Sequence, residues 1–133
     1  MRLWHQKLIN KLPRQQLLGQ HREAAALRGK GWNKPHSTVN YVFQYNYYRL
    51  VHYHQLVIKE MRKRGYNPDL TWMQPDYRGK NCARRWEGEP YSTIGINIIY
   101  PEHNDQYLQE CIDNLMSKGA VCRFMENYSK EGI

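Results

Sequence analysis

Leu50, Tyr53, His54, Val57, Ile58 and Met61 recur at spacings of 3, 4, 7, 8 and 11 residues. That spacing is one apolar stripe down a single helix face. The stripe runs into Arg62-Lys63-Arg64, then Gly65 and Pro68. Cations at the negative end of a helix dipole, a glycine cap and a following proline all mark a helix stop. A helix with so broad an apolar face must be covered, so the rest of the chain has to supply packing partners. A first helix opens at Pro13 and ends near Arg28-Gly29, Pro being tolerated at a helix start. A third starts after Pro101, carries Leu108, Cys111, Ile112, Leu115 and Met116 as its buried stripe, and stops at Lys118-Gly119. Between the second and third lies a long Pro-, Gly-, Arg- and Tyr-rich stretch, 66–100, with Ile94 to Tyr100 a brief extended segment. The expected fold is mainly α: a single compact domain spanning 1–133, of about three helices with long irregular connections. A chain of 133 residues can bury roughly two-thirds of its unfolded surface without disulfides or metal staples.

Charge divides this chain unevenly. Residues 1–85 hold seventeen basic and four acidic side chains, whereas residues 86–133 hold three basic and eight acidic ones. A basic block of that size attracts polyanions, nucleic acid first among them; the plainer reading is a merely basic soluble protein. In the first 59 positions ten Lys or Arg accompany one acid, Glu23. A phosphate-facing surface ordinarily excludes carboxylates, so Glu23 is a candidate for chemistry on a bound polyanion; its plainer role is ion pairing with Arg22 or a neighbouring arginine. On the first helix Leu17, Leu18, His21, Ala24, Ala25 and Arg28 fall on one side. Gln15, Gly19, Arg22, Glu23 and Ala26 fall on the other. Gly19, costly in a helix, implies that something approaches the backbone there.

Several chemistries find no footing. No G-x-S-x-G, Walker-type or dinucleotide loop occurs. His52 and His54 point to different sides of a helix and make a poor metal pair; His54, on the apolar stripe, reads as a core histidine. No metal or cofactor is expected. Gly29-Lys30-Gly31-Trp32-Asn33-Lys34 resembles a backbone phosphate clamp with two lysines. Of the aromatic residues Tyr41, Phe43, Tyr45, Tyr47, Tyr48 and Tyr53, which could stack bases, Tyr53 reads as core, while Tyr45 and Tyr47 stay open. No apolar run reaches the ~18 residues of a membrane span. Met1-Arg2-Leu3-Trp4-His5 lacks a secretion-signal core, and three cysteines without a CxxC pair fit a reducing compartment. The expected setting is cytoplasmic, at the nucleoid when bound to DNA.

The stretch Leu12-Pro13-Arg14-Gln15-Gln16-Leu17-Leu18-Gly19-Gln20-His21-Arg22-Glu23 resembles the N-terminal helix of the pyrimidine-dimer DNA glycosylases of the phage endonuclease V type. That helix ends in an Arg-Glu pair. Lys63-Arg64-Gly65-Tyr66-Asn67 is similar to the end of the family's second helix, and Tyr77-Arg78-Gly79 to a turn in its long loop. Three helices near 14–28, 46–64 and 102–118 fit its order. The resemblance implies a DNA-repair glycosylase with abasic-site lyase activity on duplex DNA. Such an enzyme kinks the duplex, flips out a base and forms a Schiff base between an N-terminal amine and the sugar C1′.

Carried over residue by residue, the resemblance makes Glu23 the catalytic acid/base and the α-amine of Met1 the nucleophile. Arg2, Gln15, Arg22 and Arg28 would hold phosphates or the flipped nucleotide, with Lys30, Lys34, Arg78 and Lys80 as further phosphate contacts. The enzyme is expected to act as a monomer. The chain departs from the family in having Arg, not a small residue, at position 2. Its residues 119–133, with Glu126 and Glu131, also lack the family's aromatic, basic tail. Two rival readings are a non-catalytic DNA- or RNA-binding protein that keeps the fold, and a protein-interaction module with a basic surface.

Overall fold

A computed structural model of the chain describes residues 2–35, 38–80, 82–84 and 99–117. Three α-helices occur in it: α1 (Arg14–Arg28), α2 (Tyr47–Lys63) and α3 (Asp105–Ser117). Short 3-10 helices cover Gln6–Lys11, Asn40–Gln44 and Leu70–Met73. The fold is mainly α, as expected.

Helix α2 is the axis of the core. Its start is capped by Asn46, whose side chain accepts from the Tyr48 amide at 2.8 Å. At its end the Tyr66 amide reaches the Met61 carbonyl at 2.9 Å and the Gly65 amide reaches Arg62 at 3.0 Å. This is a Schellman closure, and Gly65 takes the left-handed φ of 90° it needs. Along the predicted stripe Leu50, Tyr53, His54, Val57, Ile58 and Met61 are all buried. Each large aliphatic side chain withdrawn from water there contributes about 1.5–3 kcal/mol.

Against α2 lie α1, the N-terminal segment and, further on, α3. One apolar cluster joins Leu3 and Leu8, Leu17 and Leu27 of α1, Leu50 and Val57 of α2, and Ile112 and Leu115 of α3. In α3, Cys111, Ile112 and Leu115 are buried as the spacing predicts, but Met116 is 50% exposed. Its neighbour Leu115 takes the inward position, and the stop expected at Lys118-Gly119 lies outside the described residues. Of the expected extended segment, Ile94 to Tyr100, the part 94–98 also lies outside them. Ile99 and Tyr100 are buried, the Ile99 amide donating to Gln6 Oε1 at 2.7 Å and Arg49 donating to its carbonyl at 2.8 Å. Among the described residues no helix is long and apolar enough to cross a membrane.

The inward face of α1 is turned from the one the sequence pattern gives. Leu17, Gln20, Ala24, Leu27 and Arg28 are buried, whereas Leu18, His21 and Ala25 are half-covered. Two polar side chains, Gln20 and Arg28, therefore sit at core positions. Each is there because buried backbone groups need donors or acceptors.

Candidate active site around Glu23

The N-terminal segment is held by three side chains from three different helices. From α1, Gln20 accepts from the Trp4 amide through Oε1 at 2.7 Å and donates through Nε2 to the Arg2 carbonyl at 3.0 Å. From α2, Tyr53 donates to the Trp4 carbonyl at 2.5 Å and also lies 2.7 Å from Gln20 Oε1. From α3, Tyr107 donates to the Leu3 carbonyl at 2.5 Å. Leu3 and Trp4 are buried, so these carbonyls have left water, and each unmade bond would cost about 1–3 kcal/mol. The segment's path is thus fixed by side chains specific to this fold.

Gln20 also ties that segment to the carboxylate. The same Nε2 that serves the Arg2 carbonyl donates to Glu23 Oε2 at 3.0 Å. Two acceptors on one nitrogen at this distance are no more than about 6 Å apart. Glu23 is half-buried, and Arg22 beside it is exposed. The Arg2 guanidinium lies over the rings of Trp4, at 5.9 Å, and Tyr107, at 5.8 Å. Met1, the expected nucleophile, lies outside the described residues.

The expected DNA contacts fall into two groups. Gln15 and Arg22 are exposed on the same side of α1, along with half-covered Gly19 and Glu23. Lys30, Lys34 and Lys80 are exposed, and Lys30 and Lys80 line a groove of about 410 Å³ between the end of α1 and the 72–82 loop. Ala26, on the Glu23 side of α1, also lines that groove, so this side of the helix leads into it.

Arg28 and Arg78 are placed otherwise. Arg28 is 0% exposed. Its Nη1 donates to the Trp72 carbonyl at 2.7 Å, and its Nη2 to those of Gln74 at 2.9 Å and Tyr77 at 2.8 Å. The guanidinium lies over the Trp72 ring at 5.1 Å. Expected as a phosphate contact, Arg28 instead fastens the 72–77 loop to α1 from inside, because that loop turns its carbonyls inward. Arg78 is half-buried and donates to the carbonyls of Arg28 at 2.8 Å and Gly29 at 2.9 Å, closing the C-terminal end of α1.

The expected backbone phosphate clamp is likewise corrected. The amides of Gly29 and Gly31 donate to Ala25 and Ala26, and those of Trp32 and Lys34 to Gly29 and Gly31. These donors finish the helix and its following turn, so they do not face a ligand. Gly31 is required there: a Cβ would come within 2.8 Å of the Ala26 carbonyl oxygen.

Beside Arg28 runs a short imidazole chain. Arg28 Nη1 lies 3.0 Å from His54 Nδ1, and His54 Nε2 lies 2.7 Å from His21 Nδ1. A guanidinium only donates, so His54 Nδ1 accepts, its proton is on Nε2, and His21 carries its own on Nε2. Burial, with the Arg28 charge adding to it, holds His54 well below the usual imidazole range. His54 is the core histidine the sequence predicts. Tyr53 is fully buried, and Tyr47, left open by the sequence, is buried against Trp32 and Tyr48. Tyr45, also left open, is half-buried and donates to Glu102 Oε2 at 2.8 Å. Among the described residues no group of three or more His, Cys, Asp or Glu is placed to hold a metal ion.

Sequence reasoning missed Gln20, Tyr53 and Tyr107 as holders of the N-terminal segment. One signal was available for the first: Leu17, Gln20, Ala24 and Leu27 are spaced 3, 4 and 3 apart. That spacing puts an amide in a core stripe, where it needs partners.

The fold sets a half-buried carboxylate beside residues 2–4, on a side of α1 that also carries exposed Arg22. Residues 1–74 match the family model of the pyrimidine dimer DNA glycosylases, so the chain belongs to that family. The match takes in the N-terminal segment, α1 and α2, and ends before Arg78, Lys80 and α3. No curated protein and no solved structure matches the chain significantly.

Proposed function

We propose that the chain is a DNA N-glycosylase with abasic-site lyase activity. It would act as a one-domain monomer, 1–133, on pyrimidine dimers or other modified bases in duplex DNA. The observation that carries this reading is the Gln20 amide shared between the Arg2 carbonyl and Glu23 Oε2. It fixes the chain one residue from Met1 within about 6 Å of the carboxylate.

In this reading the neutral α-amine of Met1 attacks C1′ of the damaged nucleotide. The glycosidic bond breaks with its electron pair going to the base, which leaves protonated. One amine proton goes to the departing base and the second to O4′ as the C1′–O4′ bond breaks, which opens the sugar and gives the C1′ imine. Glu23 then removes a C2′ proton, and the 3′ phosphate departs by β-elimination, nicking the strand. An α-amine, with a pKa near 8, is easier to keep neutral than a lysine, and the charges of Arg2 and Arg22 favour the neutral form further. Arg2, Gln15, Arg22, Lys30, Lys34 and Lys80 would hold the backbone. Arg78 would contribute only with donors left over from its contacts to α1.

The test is borohydride reduction with abasic-site duplex, followed by intact mass and N-terminal peptide mapping. The expected product is a stable adduct on the Met1 amine, abolished by acetylating that amine or by a tag placed before it. No adduct and no nicking would leave a DNA-binding protein without the chemistry. An adduct on a lysine, with Lys30 and Lys34 the first to map, would move the nucleophile.

A further inference from the structure

A second cationic surface lies away from Glu23. The 3-10 helix Gln6–Lys11 runs beside the second half of α2, and two adjoining depressions of about 540 and 550 Å³ open between them. Lys7 and Lys11 stand on one wall, Lys59 and Lys63 on the other, with Ile9 and Leu56 among the residues lining the first depression. Lys7, Lys59 and Lys63 are exposed and Lys11 is half-exposed. One carboxylate, Glu60, lines both depressions, and it is paired to Arg64 Nε at 2.7 Å. None of these residues belongs to the Glu23 site or to the groove of Lys30 and Lys80.

Helix-end electrostatics account for part of this charge. Lys11, Arg62 and Lys63 occupy last turns, where cations are favoured. Lys7 and Lys59 lie outside those turns, so their convergence adds like-charge repulsion that helix ends do not account for. A bound polyanion relieves it. Two lysines four residues apart rise about 6 Å on an α-helix and about 8 Å on a 3-10 helix, against 3.4 Å per nucleotide of a strand. Because a strand winds obliquely about the duplex axis, its successive phosphates are spaced by more than that rise, so each wall meets neighbouring phosphates and the pair of walls flanks one backbone.

We infer that this groove is a second DNA contact, taking the phosphate backbone of a duplex segment other than the one held at Glu23. The choice of DNA among polyanions rests on the family; the Schiff-base step is not needed for it. The consequence is a protein that bridges two segments of DNA and can pass between them.

The test uses a bead-tethered duplex, the full chain and a second, labelled duplex in solution, compared with Lys59→Glu/Lys63→Glu. The wild-type chain is expected to capture the second duplex, and the variant to lose capture by about tenfold or more. On long duplex the variant's slope of log K against log salt falls by about 1.8, two phosphate contacts' worth. Borohydride trapping on a short abasic duplex stays unchanged. Lys59→Gln/Lys63→Gln should lose less, and unchanged thermal melting of both variants excludes misfolding. Undiminished capture by the variant, absent capture by the wild type, capture of single strands alone, or parallel loss of short-duplex trapping would overturn the inference. If wild type and variant both fail to trap, yet capture still depends on the lysines, the Schiff-base reading fails and this one stands.

Discussion

Helix α1 carries two buried polar constellations, and they serve opposite ends. Near its middle, Gln20 links the Arg2 carbonyl, the Trp4 amide and Glu23. At its last turn, Arg28 gathers the carbonyls of Trp72, Gln74 and Tyr77 and a ring nitrogen of His54. The second constellation points its donors inward, and its cation is sealed from solvent. The first ends on a half-buried carboxylate next to exposed Arg22. Two arginines six residues apart thus differ in kind: Arg28 holds a loop to the core, and Arg22 faces whatever approaches the helix.

The comparison breaks most sharply at Glu23. Glu23→Gln keeps the shape and can still accept from Gln20, but it cannot take the C2′ proton. Nicking of abasic duplex should fall by about 10²–10⁴, while binding to a polyanion is kept or strengthened because a negative charge is removed. Single-turnover nicking beside an equilibrium binding assay measures both, and near-normal turnover would remove Glu23 from the chemistry.

Arg28→Met should hurt folding first. The substitution leaves three carbonyls and a buried histidine nitrogen without their donor, a loss of about 3 kcal/mol or more. Arg22→Ala should leave folding within about 0.5 kcal/mol of wild type yet weaken binding to all duplexes alike, lowering the salt slope by about 0.9. Denaturant midpoints and salt titrations on both variants test the assignment of the two arginines together; a stable Arg28→Met that binds DNA poorly would reverse it.

What the sequence made legible follows from how locally each feature is determined. The stripe of α2 and its stop at Gly65 are set by near neighbours, and both are as expected. Glu23 stood out because charge counting needs no geometry. Gln20 does not, and Arg28 and Arg78 read as phosphate contacts, because the backbone groups they bind lie 16 to 50 residues away along the chain. A glutamine or arginine reads as surface until a distant carbonyl is brought to it. The Gly-Lys-Gly turn misled for the same reason: its amides close α1, and only the fold shows where they point.

Acid should expose the inner constellations before the outer surface. Burial lowers His54, and burial with the neighbouring His5 lowers His103 to about 3. Unfolded, each imidazole takes up a proton near pH 6.5, whereas in the fold it stays neutral to lower pH. Stability is therefore complete above about pH 6.5 and declines below it, by about 1.4 kcal/mol per pH unit for each such imidazole. For His103 the decline continues to about pH 3. Denaturant unfolding between pH 7.5 and 5 reads the slope, and replacing His54 or His103 by an uncharged residue should flatten it even where the variant is less stable.

The smallest effect separates the needs of the helix from those of its ligand. Gly19 has no unusual backbone angle, and a Cβ built on it meets only the Arg22 guanidinium, at an ordinary 3.7 Å. Among the described residues nothing else crowds it, so the fold itself does not require glycine there. Gly19→Ala should therefore stabilise the protein, by about 0.5–1 kcal/mol, through helix propensity and a less flexible unfolded chain. If the glycine is kept for the substrate, the same variant should form the borohydride adduct more slowly despite its higher melting temperature, and Gly19→Leu more slowly still. Stabilisation with trapping unchanged in both variants would show that nothing approaches this turn of α1 and that the glycine serves no substrate.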